Sequence, residues 1–549
     1  MNIELSYEKW LRGADGETVA ALKTMSEDEK HDSFYKNIEF GTGGMRGLLG
    51  VGPNRINKYT VAKATKGFAD YIKENGKSAC EKGVVIAHDN RRQSRLLSKI
   101  TAGVLAYEGI KVYLFEDLRT TPELSFAVRH LGCFGGVVIT ASHNPPEYNG
   151  YKLYDETGCQ IVPDIADKVT AFINAVENEL EVKYLSPDEL SGAVCTVGEE
   201  TDEAYYENVL GIRFFTDTDK NIRVVYTPQH GTGNIPVRTV LSRAGYSVIP
   251  VESQCFPDTE FSNTKNPNPE MPEAYEAAIE LLKENGADIA IATDPDCDRL
   301  GAVINCGGSY RLMTGNQSGA VILYYVLSRM SERNMIPDNA FMVNTVVTST
   351  LGDRIAQSFG VSVEKTLTGF KFIGEKIKKH ELAGDKKFVF GYEESYGCLI
   401  GDFVRDKDAV QASLMFCEAA DYYKKQGKTL IDVLNEIFEK YGYFLDSLTS
   451  VTLSGEDGAK KIAGILENLR NNPVREAAGS KVVKITDFNT PKEGFVKSNV
   501  LHYEFEDGSF VAVRPSGTEP KCKFYYCVRS DTEQNAKKKL EEFKRIFEN

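Results

Sequence analysis

Short apolar runs alternate with polar turns and amphipathic stretches along most of the chain. Each run ends in a turn rich in glycine, proline or aspartate, and such runs occupy residues 83–94, 135–146, 222–234, 287–299 and 386–397. Apolar runs bounded by turn residues predict buried strands. Helical patterns lie between them, as at 271–286 and 318–334. This alternation predicts related α/β domains with mixed, mainly parallel sheets, which bind ligands at the carboxyl ends of their strands.

The C-terminal part of the chain follows a different pattern. Residues 458–470 predict a helix, and residues 500–515 predict a hairpin that turns at Asp507 and Gly508. A further strand at 521–530 and an amphipathic helix complete a smaller α+β domain. Together the patterns predict four domains, at residues 1–208, 209–312, 313–442 and 443–549.

The composition narrows the functional classes. A chain of 549 residues is too long for one hydrophobic core. Its net charge of −14 disfavours nucleic acid and acidic membranes as partners, although a local basic pocket can hold an anionic ligand. No apolar run approaches a membrane span, and we expect no secretory signal. The eleven cysteines form no CxxC pair, so we expect reduced thiols in a cytoplasmic protein, without a zinc site or a disulfide framework.

An acidic loop follows the strand predicted in segment 287–299. In "TDPDCDR", Asp294, Asp296 and Asp298 alternate, and carboxylates this close repel one another. A hard divalent cation resolves the repulsion, so the loop predicts a Mg²⁺ site with positions open to a phosphate oxygen. A solvated acidic turn and a phosphatase with an aspartate nucleophile are the alternatives.

Two further polar loops carry groups that suit a phosphate and a polyol. In "RPSGTEPK" at 514–521, Arg514, the hydroxyls and the glycine N–H suit a phosphate dianion. In "GYEESYG" at 391–397, Glu393 and Ser395 alternate and would point the same way in an extended turn. An ordinary polar turn is the alternative for each loop.

Two glycine-rich turns, "FGTGGMRG" at 40–47 and "HGTGN" at 230–234, match neither the P-loop nor a full GxGxxG motif. We therefore expect no nucleotide at either turn. Arg46, in the first turn, is the side chain with a possible chemical role.

The stretch "VVITASHNPPEYNGYK" at 137–152 ends a predicted strand on Ser142. The adjacent His143 suggests a hydrolase, but GxSxG is absent and neighbours on an extended chain point apart. Pro145 and Pro146 hold the loop open, so it presents the hydroxyl rigidly. A phosphoserine there would offer three oxygens to a metal site formed by the aspartates. His143 is expected to have a supporting role.

Taken together, these loops resemble those of the α-D-phosphohexomutases. "TASHNPPEYNGYK" is similar to their phosphoserine loop, "TDPDCDR" to their metal loop, "GYEES" to their sugar-recognition loop and "RPSGTEPK" to their phosphate-binding loop. The loops occur in the family's order across almost the whole chain. The "GTGG" near the start and "TGFKFIG" at 368–374 resemble the long phosphoglucomutases of the phosphoglucomutase-2 type.

The resemblance implies three related α/β domains and a smaller α+β domain around a central cleft. It implies a small phosphosugar as substrate and interconversion of α-D-glucose 1-phosphate and glucose 6-phosphate through an enzyme phosphoserine. Mg²⁺ is the implied cofactor, and glucose 1,6-bisphosphate is the implied intermediate and activator. The implied site residues are Ser142, Lys152, Arg46, His143 and Lys407 for catalysis; Ser142, Asp294, Asp296 and Asp298 for the metal; Glu393, Ser395, Thr368 and Gly369 for the sugar; and Arg514, Ser516, Gly517, Thr518 and Arg299 for phosphate.

Three departures from the family pattern leave the sugar preference open. "GTGGMRG" stands where shorter members have a turn of the "DIRG" type, Tyr392 is an inserted-looking residue of the sugar loop, and Ala409 replaces a common glycine. A phosphopentomutase, or a mutase that accepts both sugars, is therefore an alternative. A non-catalytic phosphosugar-binding regulator is disfavoured because Ser142, the aspartates and Lys152 are all present.

Overall fold

The structure is a computed structural model that describes residues 2–41, 43–452, 455–490, 492–515 and 521–548. Two compact units are formed: one from Met1–Met313, Gly374–Leu382 and Gly397–Asp421, the other from Thr314–Ile373, Ala383–Tyr396 and Tyr422–Asn549. The helices are α1 (Ile3–Gly13), α2 (Gly16–Lys23), α3 (Glu27–Phe34), α4 (Lys58–Glu74), α5 (Lys77–Lys82), α6 (Ser94–Tyr107), α7 (Thr121–His130), α8 (Pro163–Ala175), α9 (Glu199–Gly211), α10 (Asn234–Arg243), α11 (Glu276–Asn285), α12 (Gly315–Glu332), α13 (Leu351–Ser358), α14 (Phe370–Ala383), α15 (Ala409–Lys424), α16 (Leu430–Tyr441), α17 (Gly455–Asn471) and α18 (Glu533–Phe547). The strands are β1 (Gly44–Leu48), β2 (Val84–His88), β3 (Val112–Phe115), β4 (Gly135–Ile139), β5 (Tyr148–Asp155), β6 (Cys195–Val197), β7 (Arg223–Thr227), β8 (Ser247–Pro250), β9 (Ile289–Thr293), β10 (Leu300–Cys306), β11 (Ser309–Met313), β12 (Ala340–Thr345), β13 (Ser362–Thr366), β14 (Lys387–Tyr392), β15 (Cys398–Leu399), β16 (Tyr443–Thr452), β17 (Glu476–Ala477), β18 (Ser480–Asp487), β19 (Leu501–Phe505), β20 (Phe510–Pro515) and β21 (Lys521–Ser530).

The first sheet of the first unit has the strand order β1-β5-β4-β2-β3-β6. Strands β4, β2, β3 and β6 run parallel, whereas β1 and β5 are antiparallel at one edge. Strands β2 and β4 are buried along their whole length. They are buried because α4, α6 and α8 contribute to an apolar cluster on one face and α7 to a cluster on the other. The sheet is mixed and mainly parallel, as predicted.

The second sheet of the first unit has the order β11-β10-β9-β7-β8. Strands β9, β7 and β8 are parallel, and β10 and β11 add an antiparallel edge. Helix α11 contributes to an apolar cluster with buried residues of β7 and β9. Strand β9 is fully buried and ends at Thr293. The acidic loop, which follows directly, therefore begins at the carboxyl end of a central strand.

The second unit combines a parallel sheet with an antiparallel one. Strands β13, β12 and β14 are parallel, with β12 in the centre. The C-terminal sheet has the order β16-β21-β20-β19-β18-β17 and shares its apolar cluster with α17 and α18. Strands β19 and β20 form the predicted hairpin, whose turn places Gly508 at φ 89°. The predicted fold class is confirmed: α/β domains are followed by a smaller α+β domain.

Three short helices at the N-terminus were not part of the sequence-based expectations. Side-chain oxygens of Asn2, Asp15 and Ser26 cap α1, α2 and α3. Trp10, Leu22 and Phe34 form a separate apolar cluster beneath them. The apolar positions are few and widely spaced, so the pattern gives little local indication of this cluster.

Two findings, on membrane-spanning helices and on the cysteines, concern both units. No helix within the described residues combines the length and apolar composition needed to cross a membrane. The eleven cysteines, all among the described residues, are free thiols.

Candidate active site

Ser142 lies in the loop that connects β4 with β5. Its backbone is left-handed, with φ 52°, and its N–H donates to Thr140 Oγ1 at 2.8 Å. The residue is 3% exposed, and its Oγ donates a hydrogen bond to the carboxylate oxygen Oδ2 of Asp294 at 2.7 Å. The fold thus joins two residues that are 152 positions apart in the sequence.

The loop differs from the extended segment that the sequence analysis assumed. Because Ser142 is left-handed, its neighbour does not point away, and His143 Nδ1 lies 3.1 Å from Ser142 Oγ. Burial, and next the charges of Arg299 and Arg46, lower the pKa of His143 to about 2. The imidazole is therefore neutral at neutral pH, and it offers a hydrogen bond to Ser142 but no positive charge.

The acidic loop after β9 is buried. Asp294, Asp296 and Asp298 each offer one carboxylate oxygen, and these three atoms lie within 4.8 Å of one another. The backbone N–H groups of Asp298 and Arg299 donate to Asp294 Oδ1 at 3.1 and 3.0 Å. The loop therefore points three carboxylates inward and uses its own backbone to hold the first of them.

A glycine-rich turn, residues 230–234, supports the acidic loop. Thr232 donates to the Pro295 carbonyl through its N–H at 2.8 Å and through its Oγ1 at 2.9 Å. A Cβ at Gly231 would lie 2.5 Å from Pro295 Cα, so a larger residue cannot be accommodated without displacing the acidic loop. The turn therefore holds the backbone of the carboxylate cluster.

Two of the three carboxyls have shifted pKa values, and two oxygens of the cluster lack a hydrogen-bond partner among the described residues. Burial, and next the carboxylates of Asp298 and Asp296, raise the pKa of Asp294 well above its usual range. Burial acts in the same direction on Asp296, but the ion pair with Lys152 and the hydrogen bonds with Asp294 and Thr121 together outweigh it and lower that pKa. Among the described residues, Asp296 Oδ1 and Asp298 Oδ1 are buried without a hydrogen-bond partner. A buried, oxygen-only donor set with unsatisfied atoms fits a hard divalent cation.

Two lysines reach the carboxylates from different parts of the first unit. Lys152, on β5, places Nζ 2.8 Å from Asp296 Oδ2 and 3.8 Å from Asp298 Oδ2. Lys407, just before α15, places Nζ 3.0 Å from Asp298 Oδ2. Both predicted lysines therefore share the carboxylate cluster with Ser142.

Arg46 lies on β1 and is held close to the serine loop. It pairs with Gly150 in the antiparallel ladder between β1 and β5, and its Nη1 donates to Asn144 Oδ1 at 3.0 Å. The Arg46 side chain is exposed, and an arginine keeps its proton at neutral pH, so the site retains this cation.

Two residues to which the sequence analysis gave no role complete the surroundings. Glu270 forms an ion pair with Arg299, whose Nε also lies 3.8 Å from Asp298 Oδ1. Thr121, at the start of α7, donates its N–H to the Asp296 carbonyl at 2.9 Å and its Oγ1 to Asp296 Oδ2 at 2.8 Å. The only sequence signal for Thr121 is its position after a strand, at the start of a helical pattern.

The second unit carries the loops predicted for sugar and phosphate. Glu393 follows β14, and its Oε1 accepts the Gly369 N–H at 2.9 Å. Arg514, near the end of β20, donates from Nη1 to Thr368 Oγ1 at 2.8 Å. Four of the predicted residues of this unit therefore form two neighbouring contacts: Arg514 contacts Thr368, and Glu393 contacts Gly369.

Other predictions for these loops have a different outcome. Residues 394 and 395 form a turn and Tyr396 has φ 68°, so the segment is not extended. Alternation along a strand therefore does not place Ser395 on the same side as Glu393. Ser516, Gly517 and Thr518 lie outside the described residues.

Four family models match successive parts of the chain. The first, the phosphoglucomutase/phosphomannomutase α/β/α domain I, matches residues 37–180, and domain II of the same description matches residues 203–307. Domain III matches residues 314–441, and the C-terminal domain matches residues 455–545. The order of the matches is the order of the domains in that family description.

Proteins with assigned names are similar along nearly the whole chain. A phosphoglucomutase of Staphylococcus epidermidis is 38% identical over 520 residues, which are 92% of this chain and 93% of that protein. A phosphoglucomutase of Staphylococcus aureus is 36% identical over 540 residues, which are 96% of each chain. The crystal structure of pp63/parafusin, a phosphoglucomutase from Paramecium in an open form, has a TM-score of 0.69 and 19% identity, with 93% of this chain and 95% of that chain covered. At that identity the structural likeness concerns the fold alone.

Proposed function

The chain belongs to the phosphoglucomutase/phosphomannomutase family, and we propose from this premise that it interconverts α-D-glucose 1-phosphate and glucose 6-phosphate. The observation that carries the proposal is the hydrogen bond of 2.7 Å from Ser142 Oγ to Asp294 Oδ2. It sets a hydroxyl that can hold a phosphoryl group against a buried carboxylate cluster that fits a divalent cation. Ser142 is accordingly the proposed site of the enzyme-bound phosphoryl group.

In the proposed reaction, Ser142 gives its phosphoryl group to the free hydroxyl of the sugar monophosphate. The bond from Ser142 Oγ to phosphorus breaks, a bond from the sugar oxygen to phosphorus forms, and the proton of the sugar hydroxyl is transferred to Ser142 Oγ. The resulting glucose 1,6-bisphosphate returns its other phosphoryl group to Ser142, and the proton returns to the sugar oxygen. The cycle needs neither net phosphate nor water, as an isomerisation requires.

The residues of the carboxylate cluster have separate proposed roles. Asp294, Asp296 and Asp298 would hold Mg²⁺, which when bound would neutralise charge on the phosphoryl oxygens. Lys152 is the proposed proton relay, because its Nζ contacts the same cluster as Ser142 and lies 2.8 Å from Asp296 Oδ2.

The remaining groups supply charge and recognition. The neutral His143 orients the Ser142 hydroxyl from 3.1 Å. Positive charge around the transferring group comes from Arg46, Lys407 and Arg299. The sugar hydroxyls are bound by Glu393, Ser395, Thr368 and Gly369, and the phosphate that is not transferred is bound by Arg514, Ser516, Gly517 and Thr518.

The same scheme accounts for an activator. When a bisphosphate leaves before it returns a phosphoryl group, Ser142 is left unphosphorylated, and glucose 1,6-bisphosphate from solution restores it. The proposed compartment is the cytoplasm, where the eleven free thiols stay reduced.

Intact-protein mass spectrometry combined with a coupled assay tests the phosphoserine. The wild type should carry one phosphoryl group that maps to Ser142, and Ser142→Ala should lose both that mass and turnover. Ser125→Ala is the matched control, because Ser125 is another buried hydroxyl of the first unit, bonded to the Gly158 carbonyl. If Ser142→Ala keeps substantial activity, the phosphoserine mechanism is wrong and a nucleophilic Asp294 takes its place.

A substrate panel tests the choice of sugar. The 1-phosphates of glucose, mannose and ribose are assayed with a catalytic amount of the matching bisphosphate, and kcat/KM should be highest for glucose. A higher kcat/KM for ribose 1-phosphate would assign the chain as a phosphopentomutase.

A further inference from the structure

Arg91 is buried against the serine loop and donates to its backbone. Its Nη1 donates to the carbonyls of Pro145 at 2.8 Å and Tyr148 at 3.1 Å. Its Nη2 donates to the carbonyls of Ser142 and Asn144, both at 2.5 Å. One guanidinium therefore binds four carbonyls of the segment that carries the Ser142 hydroxyl.

The guanidinium is itself fixed by its neighbours. Arg91 Nε lies 3.3 Å from Asp89 Oδ2, and both side chains are fully buried. Asp89 Oδ1 accepts the Arg91 N–H at 2.9 Å and the Ser94 hydroxyl at 2.7 Å. Ser94 Oγ in turn accepts from Asn149 Nδ2 at 2.9 Å, and the Phe261 ring lies 5.1 Å from the guanidinium carbon. Arg91 therefore cannot shift without disturbing the start of β5.

The serine loop needs such a donor because three of the four carbonyls, those of Ser142, Asn144 and Pro145, lie between β4 and β5 and outside the sheet ladder. Its carbonyls are turned inward, and buried carbonyls require a hydrogen-bond donor. Pro145 and Pro146 have no N–H to offer, and Ser142 holds a left-handed φ of 52° that is unfavourable for a non-glycine residue. A planar guanidinium with a fixed fork of donors can bind several carbonyls at once, whereas a lysine ammonium is a compact point donor.

We propose that Arg91 is a positioning residue for phosphoryl transfer, which holds the Ser142 backbone so that Oγ stays against Asp294. The inference rests on the proposed function, because it assigns Arg91 to the step in which Ser142 exchanges its phosphoryl group. The guanidinium reaches the serine loop through hydrogen bonds to backbone carbonyls, and the residues proposed to bind the sugar and the phosphate that is not transferred belong to the other unit.

The test is a comparison of kcat and KM in Arg91→Lys and the wild type. A displacement of about 1 Å at a reacting group can lower the rate about 100-fold, so kcat of Arg91→Lys should fall about 100-fold. KM for glucose 1-phosphate should stay within about twofold, since that constant reports substrate contacts that Arg91 does not make. Arg329→Lys is the matched control, because Arg329 is a buried arginine of the second unit that pairs with Glu332 and stacks on Tyr422.

Chemical rescue separates positioning from general damage. Arg91→Ala removes the side chain and leaves space for a guanidinium ion, so the added ion should raise the kcat of this variant. The same ion should not raise the kcat of Arg91→Lys, because the lysine side chain fills the space. Circular dichroism checks that each variant is folded. If neither Arg91 variant folds, Asp89→Asn keeps the guanidinium but weakens its anchor, and its kcat should fall while KM is unchanged.

The outcomes distinguish this inference from the proposed function. A wild type without mutase activity and without phosphate on Ser142 would overturn the proposed function itself. An active wild type together with an Arg91→Lys variant of unchanged kcat would overturn the positioning role alone. An unchanged kcat in Asp89→Asn, or a fall in Arg329→Lys as large as that in Arg91→Lys, would overturn it as well.

Discussion

Removal of a single hydroxyl from β5 should show how strongly the fold depends on a buried carboxylate next to Lys407. Tyr154 OH donates to Asp406 Oδ2 at 2.8 Å, and Tyr154 is 0% and Asp406 4% exposed. Burial, and next the charge of Asp406, raise the pKa of Tyr154 well above its usual range, so the hydroxyl stays protonated and donates at every working pH. Tyr154→Phe removes this donor and leaves the ring in place.

The magnitude follows from the charge of the acceptor. A hydrogen bond to a charged group contributes about 1.5–3 kcal/mol, so Tyr154→Phe should lower the free energy of unfolding by about 2 kcal/mol. At an unfolding entropy of about 2.1 cal/mol/K per residue, 1 kcal/mol corresponds to about 1 °C in Tm for a chain of 549 residues, which gives a fall of about 2 °C.

Tyr151→Phe is the matched control on the same strand. Tyr151 is also 0% exposed, but its hydroxyl accepts from the neutral Thr65 Oγ1 at 3.2 Å. The single proton of that Thr65 hydroxyl can instead be donated to the Val61 carbonyl, which lies 2.8 Å away and remains an acceptor in the variant. Tyr151→Phe should therefore cost only about 0.5 kcal/mol, or about 0.5 °C.

Calorimetry at neutral pH measures both variants and extends to a double-mutant cycle. In the Asp406→Asn background the acceptor is neutral, so Tyr154→Phe should cost only about 1 kcal/mol and the coupling should be about 1 kcal/mol. Equal Tm shifts for Tyr154→Phe and Tyr151→Phe, or additive effects in the cycle, would refute the role of the charged acceptor.

Three further predictions concern both units. Burial raises the pKa of Asp446 from 3.8 to about 6, so the native state binds this proton more tightly than the unfolded chain does, and stability falls by about 3 kcal/mol as the pH rises through that interval. Asp446→Asn should remove this dependence, which calorimetry across the interval measures; parallel curves for variant and wild type would contradict it. Asp296→Asn should lower kcat by roughly 100-fold or more with Mg²⁺ in excess, and near-normal turnover would contradict a metal-binding role. Arg514→Ala should raise KM for glucose 1-phosphate at least about tenfold with kcat nearly unchanged, because Arg514 is proposed to hold the phosphate that is not transferred; an unaltered KM would exclude that role.

The elements that could be predicted from the sequence are those with a local signal. Strands β2, β4, β7, β9 and β14 were predicted because each is a continuous apolar run, and the hairpin at Asp507 and Gly508 because its turn residues are specific. The acidic loop and the serine loop were selected as candidates from their residue types, and the joint pattern of the loops indicated their chemistry. The assignment to a family of phosphohexomutases, made from four short loops, is confirmed by the matches along the chain.

The tertiary structure alone decided how distant groups meet. Thr121 and Asp296 are 175 positions apart, and Arg91 is 51 positions from Ser142. Neither contact can therefore be predicted from a local sequence pattern. The left-handed backbone of Ser142, whose carbonyl accepts from the buried Arg91, is not a local preference of serine, so no local pattern predicts it. Apolar periodicity is a property of neighbouring residues and therefore determines the elements, whereas strand order and buried polar contacts arise only when those elements pack together.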